Sequence, residues 1–271
     1  MSESKAQKVV VFLTLESTDK NLILNGIRIA NIFKKELCLC FNTGKKNTDE
    51  AEFAKQKLAD YLVPIKNELP NLPVSTLITS EKLRNLPEKL ADDYEAIILV
   101  AGSENFSKYA PAVEESPVPF LFVNENSEHF SEFKKVVLPV DLRKENSESI
   151  VWTSYFGRFN EAALVVVAAS QKNKDDNQQV KYNAALAKKL FQKFEIEHKI
   201  YKGAKSSFQN AFEALEMALA SDCDLLVILG SSVITPLDRL IGLPEKKIMK
   251  RAGNLPVLMI NPRKDNYILC D

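Results

Sequence analysis

The chain repeats itself once, and that repeat limits the folds open to it more than any other feature. Lys8 to Asp19 reads KVVVFLTLESTD and Lys135 to Asn146 reads KVVLPVDLRKEN, an offset of 127 residues. AIILVAGS, ending at Ser103, returns as LLVILGSS with Gly102 matched to Gly230, an offset of 128. VPFLFVN (Val118 to Asn124) returns as LPVLMIN (Leu255 to Asn261), with Pro119 matched to Pro256 at an offset of 137. Three anchors in the same order describe a duplicated unit. The step in offset from 128 to 137 gives the second copy about nine extra residues between its glycine and its last strand. A difference confined to one loop puts the functional divergence of the copies there, because loops carry binding groups on a scaffold held constant by packing.

Within each copy, short apolar runs alternate with stretches of helical period. The first copy has VVVFLTL, ELCLCF, VSTLIT, AIILVAG and PFLFVN, and the second has VVLPVDL, ALVVVAA, EHKIYKG, DLLVILG and PVLMIN. Most are continuously apolar and rich in Val, Ile and Leu, as strands covered on both faces of a parallel sheet must be. The third run of each copy is more polar and reads as an edge strand. Helices are expected at Asn21 to Lys35, Glu50 to Glu68 and Leu83 to Asp92, then at Ser147 to Phe159, Gln178 to Phe194 and Phe208 to Ala220. Strand and helix alternating in this way specify an α/β fold with right-handed crossovers. The stretch NENSEHFSEF carries no core pattern and reads as a linker, which sets the domains at 1–126 and 134–271.

With 36 basic and 36 acidic residues the formal charge is zero, so the general positive field of a nucleic-acid binder is missing and no nucleic-acid partner is expected. The most apolar stretch, Ala162 to Ala169, is far below the roughly 18 residues of a spanning helix, so no membrane role is expected. The polar start MSESKAQK does not read as a secretory leader, and Cys38, Cys40, Cys223 and Cys270 do not read as a disulfide framework. A cytoplasmic location fits. His129 falls in the linker and His198 on a polar edge strand, so neither a Ser/His/Asp relay nor a histidine metal site has its partners. Cys38 and Cys40 alternate in one strand without C-x-x-C spacing and read as core.

What remains is topological, since open α/β sheets bind ligands beyond the carboxyl ends of the strands where strand order reverses. In the second copy those loops carry Pro139-Val140-Asp141 and Gly230-Ser231-Ser232. Asp141 can accept from a ribose or an adenine amine, and glycine at 230 leaves the backbone open to a phosphate or sugar. Alternatively, Asp141 caps the helix that opens near Ser147, or ends its strand.

At these residues the sequence resembles the universal stress protein family in its tandem two-domain form, from about Lys8 to Arg263. PVDL at Pro139 to Leu142 is similar to that family's first strand end, DLLVILGS at Asp224 to Ser231 to its fourth strand entering the nucleotide loop, and LPVLMINP at Leu255 to Pro262 to its last strand. The resemblance implies two tandem doubly wound, Rossmann-like domains, each a five-stranded parallel sheet in the order 3-2-1-4-5. Nucleotide-binding members carry G-x-x-G-x9-G and then a hydroxyl. Here Gly230 matches, Val233 replaces the second glycine, Gly242 arrives one residue early, and Leu243 and Pro244 follow it. The first copy ends its first strand in Thr14-Leu15-Glu16 in place of P-V-D and lacks the phosphate loop after Gly102.

The resemblance with a degraded loop implies a non-catalytic regulatory or interaction protein of the stress response, with an unidentified protein partner. The alternative is a sensor binding ATP or AMP in the second domain through Pro139, Val140, Asp141, Gly230, Ser231, Ser232 and Gly242. No other cofactor and no metal are expected. An adenylyl-transfer or pyrophosphatase activity lacks its H-x-G-H or S-G-G-x-D-S cluster. Tandem members imply a pseudo-dimer within one chain, joined through its last strands, and leave room for a homo-oligomer.

Overall fold

The structure of the chain, a computed structural model, describes residues 6–45, 48–128, 130–231 and 244–262. It divides into two compact units, one ending at Phe130 and the other running from Ser131 to Pro262. The first unit comprises β1 (Lys8–Phe12), α1 (Asp19–Phe33), β2 (Glu36–Asn42), α2 (Thr48–Glu68), β3 (Val74–Thr79), α3 (Leu86–Tyr94), β4 (Ala96–Gly102), α4 (Phe106–Val113) and β5 (Phe120–Val123). Its strands are parallel in the order β3-β2-β1-β4-β5. The second comprises β6 (Lys135–Val140), α5 (Asn146–Asn160), β7 (Ala163–Ala168), α6 (Lys174–Lys193), β8 (His198–Lys202), α7 (Ser207–Ala220), β9 (Leu225–Leu229), α8 (Pro244–Ala252) and β10 (Val257–Ile260). Its strands run parallel as β8-β7-β6-β9-β10. Counted within each unit, both orders are 3-2-1-4-5, as the sequence resemblance implied.

The continuously apolar runs are the central strands. Every residue of β4 and of β9 is buried, because helices cover both faces of the sheet there. The polar third runs end their sheets: β3 is only half-buried and β8 is exposed over four of its five residues. The lysines of β8, Lys199 and Lys202, suit an outer strand, whose free edge charged side chains protect from pairing.

Two helices and one core residue depart from the sequence reading. Helix α4 was not expected, yet Phe106, Tyr109, Ala112 and Val113 place a buried stripe along it at helical spacing. Helix α8 was not expected either, and it brings Glu245, Ile248, Met249 and Ala252 into the second unit. The stretch read as a linker is not wholly outside the core. Phe133 is fully buried, packs 6.0 Å from the ring of Phe156, and its carbonyl accepts from Asn160 Nδ2 at 2.8 Å. No described helix is long and apolar enough to cross a membrane.

Candidate functional site

A single proline opens the crevice in the second unit. Successive residues of a parallel strand hydrogen-bond to alternate neighbours. The carbonyl of Lys135 accepts from Asp224 on the β9 side and that of Val140 accepts from Ala169 on the β7 side. Pro139 therefore faces β9, with no N–H to give it. The β6–β9 register holds only at Val136 and Val137, whereas β6 pairs with β7 along its whole length. Beyond the break lies a cleft of about 360 Å³ lined by Asp141, Leu142 and Arg143 after β6, Ser207, Phe208 and Phe212 of α7, Ser231 after β9, and Glu245 and Ile248 of α8.

Asp141 is buried and its carboxylate is fully engaged within the protein. Oδ1 accepts from the Arg143 amide and from Asn146 Nδ2, both at 2.8 Å. Oδ2 accepts from Arg143 Nε at 2.8 Å and pairs with Nη2 at 2.6 Å. The same guanidinium donates from Nη1 to the carbonyl of Gly230 at 2.7 Å, so Arg143 bridges the heads of β6 and β9 across the crevice. Three asparagines from three helices hold this strand end in place. Asn146 reaches the carbonyl of Arg143 at 2.6 Å, Asn183 of α6 donates to the carbonyls of Asp141 and Arg143 at 2.9 Å, and Asn210 of α7 donates to those of Val140 and Val167 at 3.0 Å. Short amides suit this work, because each brings two N–H donors to the carbonyls of the strand end and its loop.

At the head of β9 the polar groups are also taken. The amide of Gly230 donates to the carbonyl of Ile260 at 2.9 Å, and the amide of Ser231 donates to Glu245 Oε1. Glu245 is buried, and its second oxygen, Oε2, has no hydrogen-bond partner among the described residues. Among the described residues a Cβ on Gly230 would meet nothing nearer than 3.6 Å, so their packing does not require glycine there.

The first unit repeats this arrangement with different side chains. The offset of 127 puts Thr14 opposite Asp141 and Asp19 opposite Asn146, so the match of Thr14-Leu15-Glu16 to P-V-D is two residues out of register. Asp19 has no exposed surface; it accepts from the Thr14 amide at 2.9 Å, the Thr14 hydroxyl at 3.0 Å and the Leu15 amide at 2.7 Å. Burial holds its carboxyl above the ordinary carboxylate value, against the pull of these donors. Tyr61 adds a hydroxyl contact to Asp19 at 3.4 Å, and burial together with the Asp19 charge pushes that phenol up to about 12. At the head of β4, a Cβ on Gly102 would collide with the carboxylate of Glu125. Glu125 in turn accepts from Asn105 Nδ2 at 2.9 Å and from the Glu104 amide at 3.3 Å.

Of the residues singled out in the sequence, Asp141 and Ser231 line the cleft. Pro139 and Val140 are buried strand residues, and Gly230 contributes backbone to the bridge from Arg143. Ser232, Val233, Gly242 and Leu243 lie outside the described residues, as do His129 and Cys270. Asp141 makes no helix cap; it binds its own loop. His198 is half-buried, with Nδ1 2.7 Å from the carbonyl of Ile196 and its ring against Phe191. Cys38 and Cys40 are buried in β2, and burial pushes the Cys38 thiol up to about 11 and holds that of Cys40 well above its ordinary value. Among the described residues no three His, Cys, Asp or Glu side chains converge on a point where a metal ion would fit. Arg143, Asn146, Glu245 and Glu125 were not anticipated. For Arg143 and Asn146 the signal was available, since both fall within five residues of Asp141. Glu245 and Glu125 reach their glycines from separate segments.

No protein-family model matches the sequence. No curated protein matches it either. The fold does have close counterparts among solved structures. A universal stress protein from Archaeoglobus fulgidus matches with a TM-score of 0.66 at 10% identity, covering 94% of this chain and 96% of that one. A putative universal stress protein from Pseudomonas aeruginosa matches with a TM-score of 0.61 at 14% identity, covering 94% and 92%. The chain therefore has the tandem universal stress protein fold over nearly its whole length.

Proposed function

We propose that this chain is a tandem universal stress protein with a degraded nucleotide loop, acting in stress response as a regulatory or interaction module with no catalysis of its own. One observation carries the reading. In each unit a glutamate carboxylate occupies the head of the fourth strand, Glu125 against Gly102 and Glu245 on the Ser231 amide. Those are the positions at which the family resemblance would seat a nucleotide's phosphates. A buried carboxylate beside an entering phosphate adds like-charge repulsion and has already taken the amide the phosphate would use. The acceptor expected to bind ribose or adenine, Asp141, is meanwhile saturated by Arg143 and Asn146. Such a protein would act through its surface on a protein partner.

A nucleotide sensor is the second reading, and Arg143 favours it. Its guanidinium lines the cleft and, among the described residues, spends three of its five N–H groups on Asp141 and Gly230, leaving two that suit an anion. The two readings separate on what the purified protein carries. Denaturing the full chain and chromatographing the released small molecules should yield no adenine nucleotide, and titration with ATP and AMP should give no saturable heat. Near-stoichiometric ATP or AMP in the released fraction would replace the first reading by the second.

A further inference from the structure

The outer strand of the second unit turns half of its backbone groups away from its sheet. The amide of Leu164 donates to the carbonyl of Glu197 and that of Gly203 donates to the carbonyl of Ala168, so the odd-numbered residues along β8 face β7. Alternation along a parallel strand then directs the N–H and C=O groups of His198, Ile200 and Lys202 outward. No described strand lies on that side. The side chains alternate as well. His198 packs on Phe191 of α6, which puts Ile200 and Lys202 on the α6 face of the sheet and Lys199 and Tyr201 on the opposite one. All four are exposed, so each face of the strand shows water one apolar side chain and one ammonium group. From His198 to Lys205 there are three lysines and no acid. Glu213 of α7 approaches the end of this stretch, where its two oxygens accept from the amides of Ala204 and Lys205. The corresponding edge of the first unit, β3, carries no charged residue, so the cationic edge belongs to the second copy.

We infer that the edge of β8 takes an extended acidic segment of a partner protein as an added strand. The outward groups of His198, Ile200 and Lys202 supply the backbone hydrogen bonds, and the side chains choose the sequence. Residues directly opposite each other in paired strands share a face and touch. Lys199, Ile200, Tyr201 and Lys202 therefore select acid, apolar, apolar, acid, a pattern that reads the same in either strand direction. The lysines that protect this edge from indiscriminate pairing are the same groups that make it selective, since a basic segment or a second copy of β8 would meet like charge. The inference rests on the reading of the chain as an interaction module, and it names the chemistry of the partner.

The test adds the full-length chain to a fluorescein-labelled, end-capped peptide of serine, threonine, glutamate, valine, isoleucine, glutamate, threonine and serine, and follows anisotropy. One control peptide has lysine in place of both glutamates, and another has N-methyl groups on the central valine and isoleucine, which block backbone pairing. The acidic peptide is expected to bind saturably and both controls roughly tenfold or more weakly. Lys199→Glu combined with Lys202→Glu changes exposed side chains, and should weaken the acidic peptide by roughly tenfold or more while strengthening the lysine peptide. Ile200→Pro removes an outward N–H and spares the ladder to β7, a position at which an edge strand tolerates proline, and it should weaken binding as strongly. If that variant does not fold, the double lysine variant decides. Absence of saturable binding, equal binding of the three peptides, or unchanged affinity in the double lysine variant or in folded Ile200→Pro would each overturn the inference while leaving the interaction-module reading intact. Adenine nucleotide released from the denatured chain, with peptide binding retained, would overturn that reading and keep this one.

Discussion

Asn146 donates to Asp141 Oδ1 at 2.8 Å, the same hydrogen bond that Thr14 makes to Asp19 at 3.0 Å, with the acid at the opposite end. The two units have kept one carboxylate at the head of their first strand and moved it by five residues. A second acid at either position would set two buried carboxylates within hydrogen-bonding distance, where like charges and missing donors both oppose folding. Asn146→Asp alone should therefore destabilise the second unit by about 1–3 kcal/mol. Adding Asp141→Thr recreates the arrangement of the first unit and should recover a large part of that loss. Denaturant unfolding followed by Trp152, the chain's single tryptophan and buried in α5, reports on the second unit. Additive effects of the two substitutions would show that the positions are not coupled.

Removing the Arg143 side chain should act on the same loop. Arg143→Ala leaves Asp141 with its Asn146 bond and one backbone amide, and frees the Gly230 carbonyl from its only side-chain donor among the described residues. A loss of about 1–3 kcal/mol is expected in the same Trp152 measurement. An unchanged midpoint would mean that water replaces the guanidinium without cost.

The two fourth-strand glycines should respond differently to alanine. In Gly102→Ala the new methyl displaces the Glu125 carboxylate and breaks its bonds to Asn105 and the Glu104 amide, for a loss of about 1–3 kcal/mol. Among the described residues Gly230→Ala meets only ordinary contacts, the nearest at 3.6 Å, and it should stay within about 0.5 kcal/mol of the parent. Thermal unfolding of the two variants compares them directly; an equal or reversed order would contradict the placement of Glu125.

Asp19 predicts a pH dependence in the first unit. Burial raises its folded value above the ordinary 3.8, so the folded state holds that proton more tightly than the unfolded chain does. Its contribution to stability is full below 3.8 and is lost as pH rises through the folded value. Asp19→Asn removes this titration. The melting temperature of the parent should therefore gain on that of the variant as pH is lowered toward 3.8, with helical circular dichroism as the readout. Parallel curves across that range would show that Asp19 does not titrate in the folded protein.

The sequence by itself determined the duplication, the parallel α/β architecture, the outer position of β3 and β8, and the place where a site could open. Each of these rests on local information. Strand burial shows in runs such as AIILVAG, edge exposure in the polarity of VSTLIT and HKIYK, and the break at the head of β6 in the missing N–H of Pro139. The tertiary structure alone decided what occupies the site. Glu125 lies 23 residues after Gly102 and Glu245 lies 15 after Gly230, and nothing in a polar residue near a strand end or helix start marks it as buried. Asp141 is a free acceptor on paper, and only the folded loop shows Arg143 and Asn146 already bound to it. Helix α4, with its internal Pro111, and the buried Phe133 in a polar stretch were hidden for the same reason. Periodicity reports which face of an element meets the core, whereas the partner of a buried polar group is chosen by chain segments distant in sequence, after they have packed.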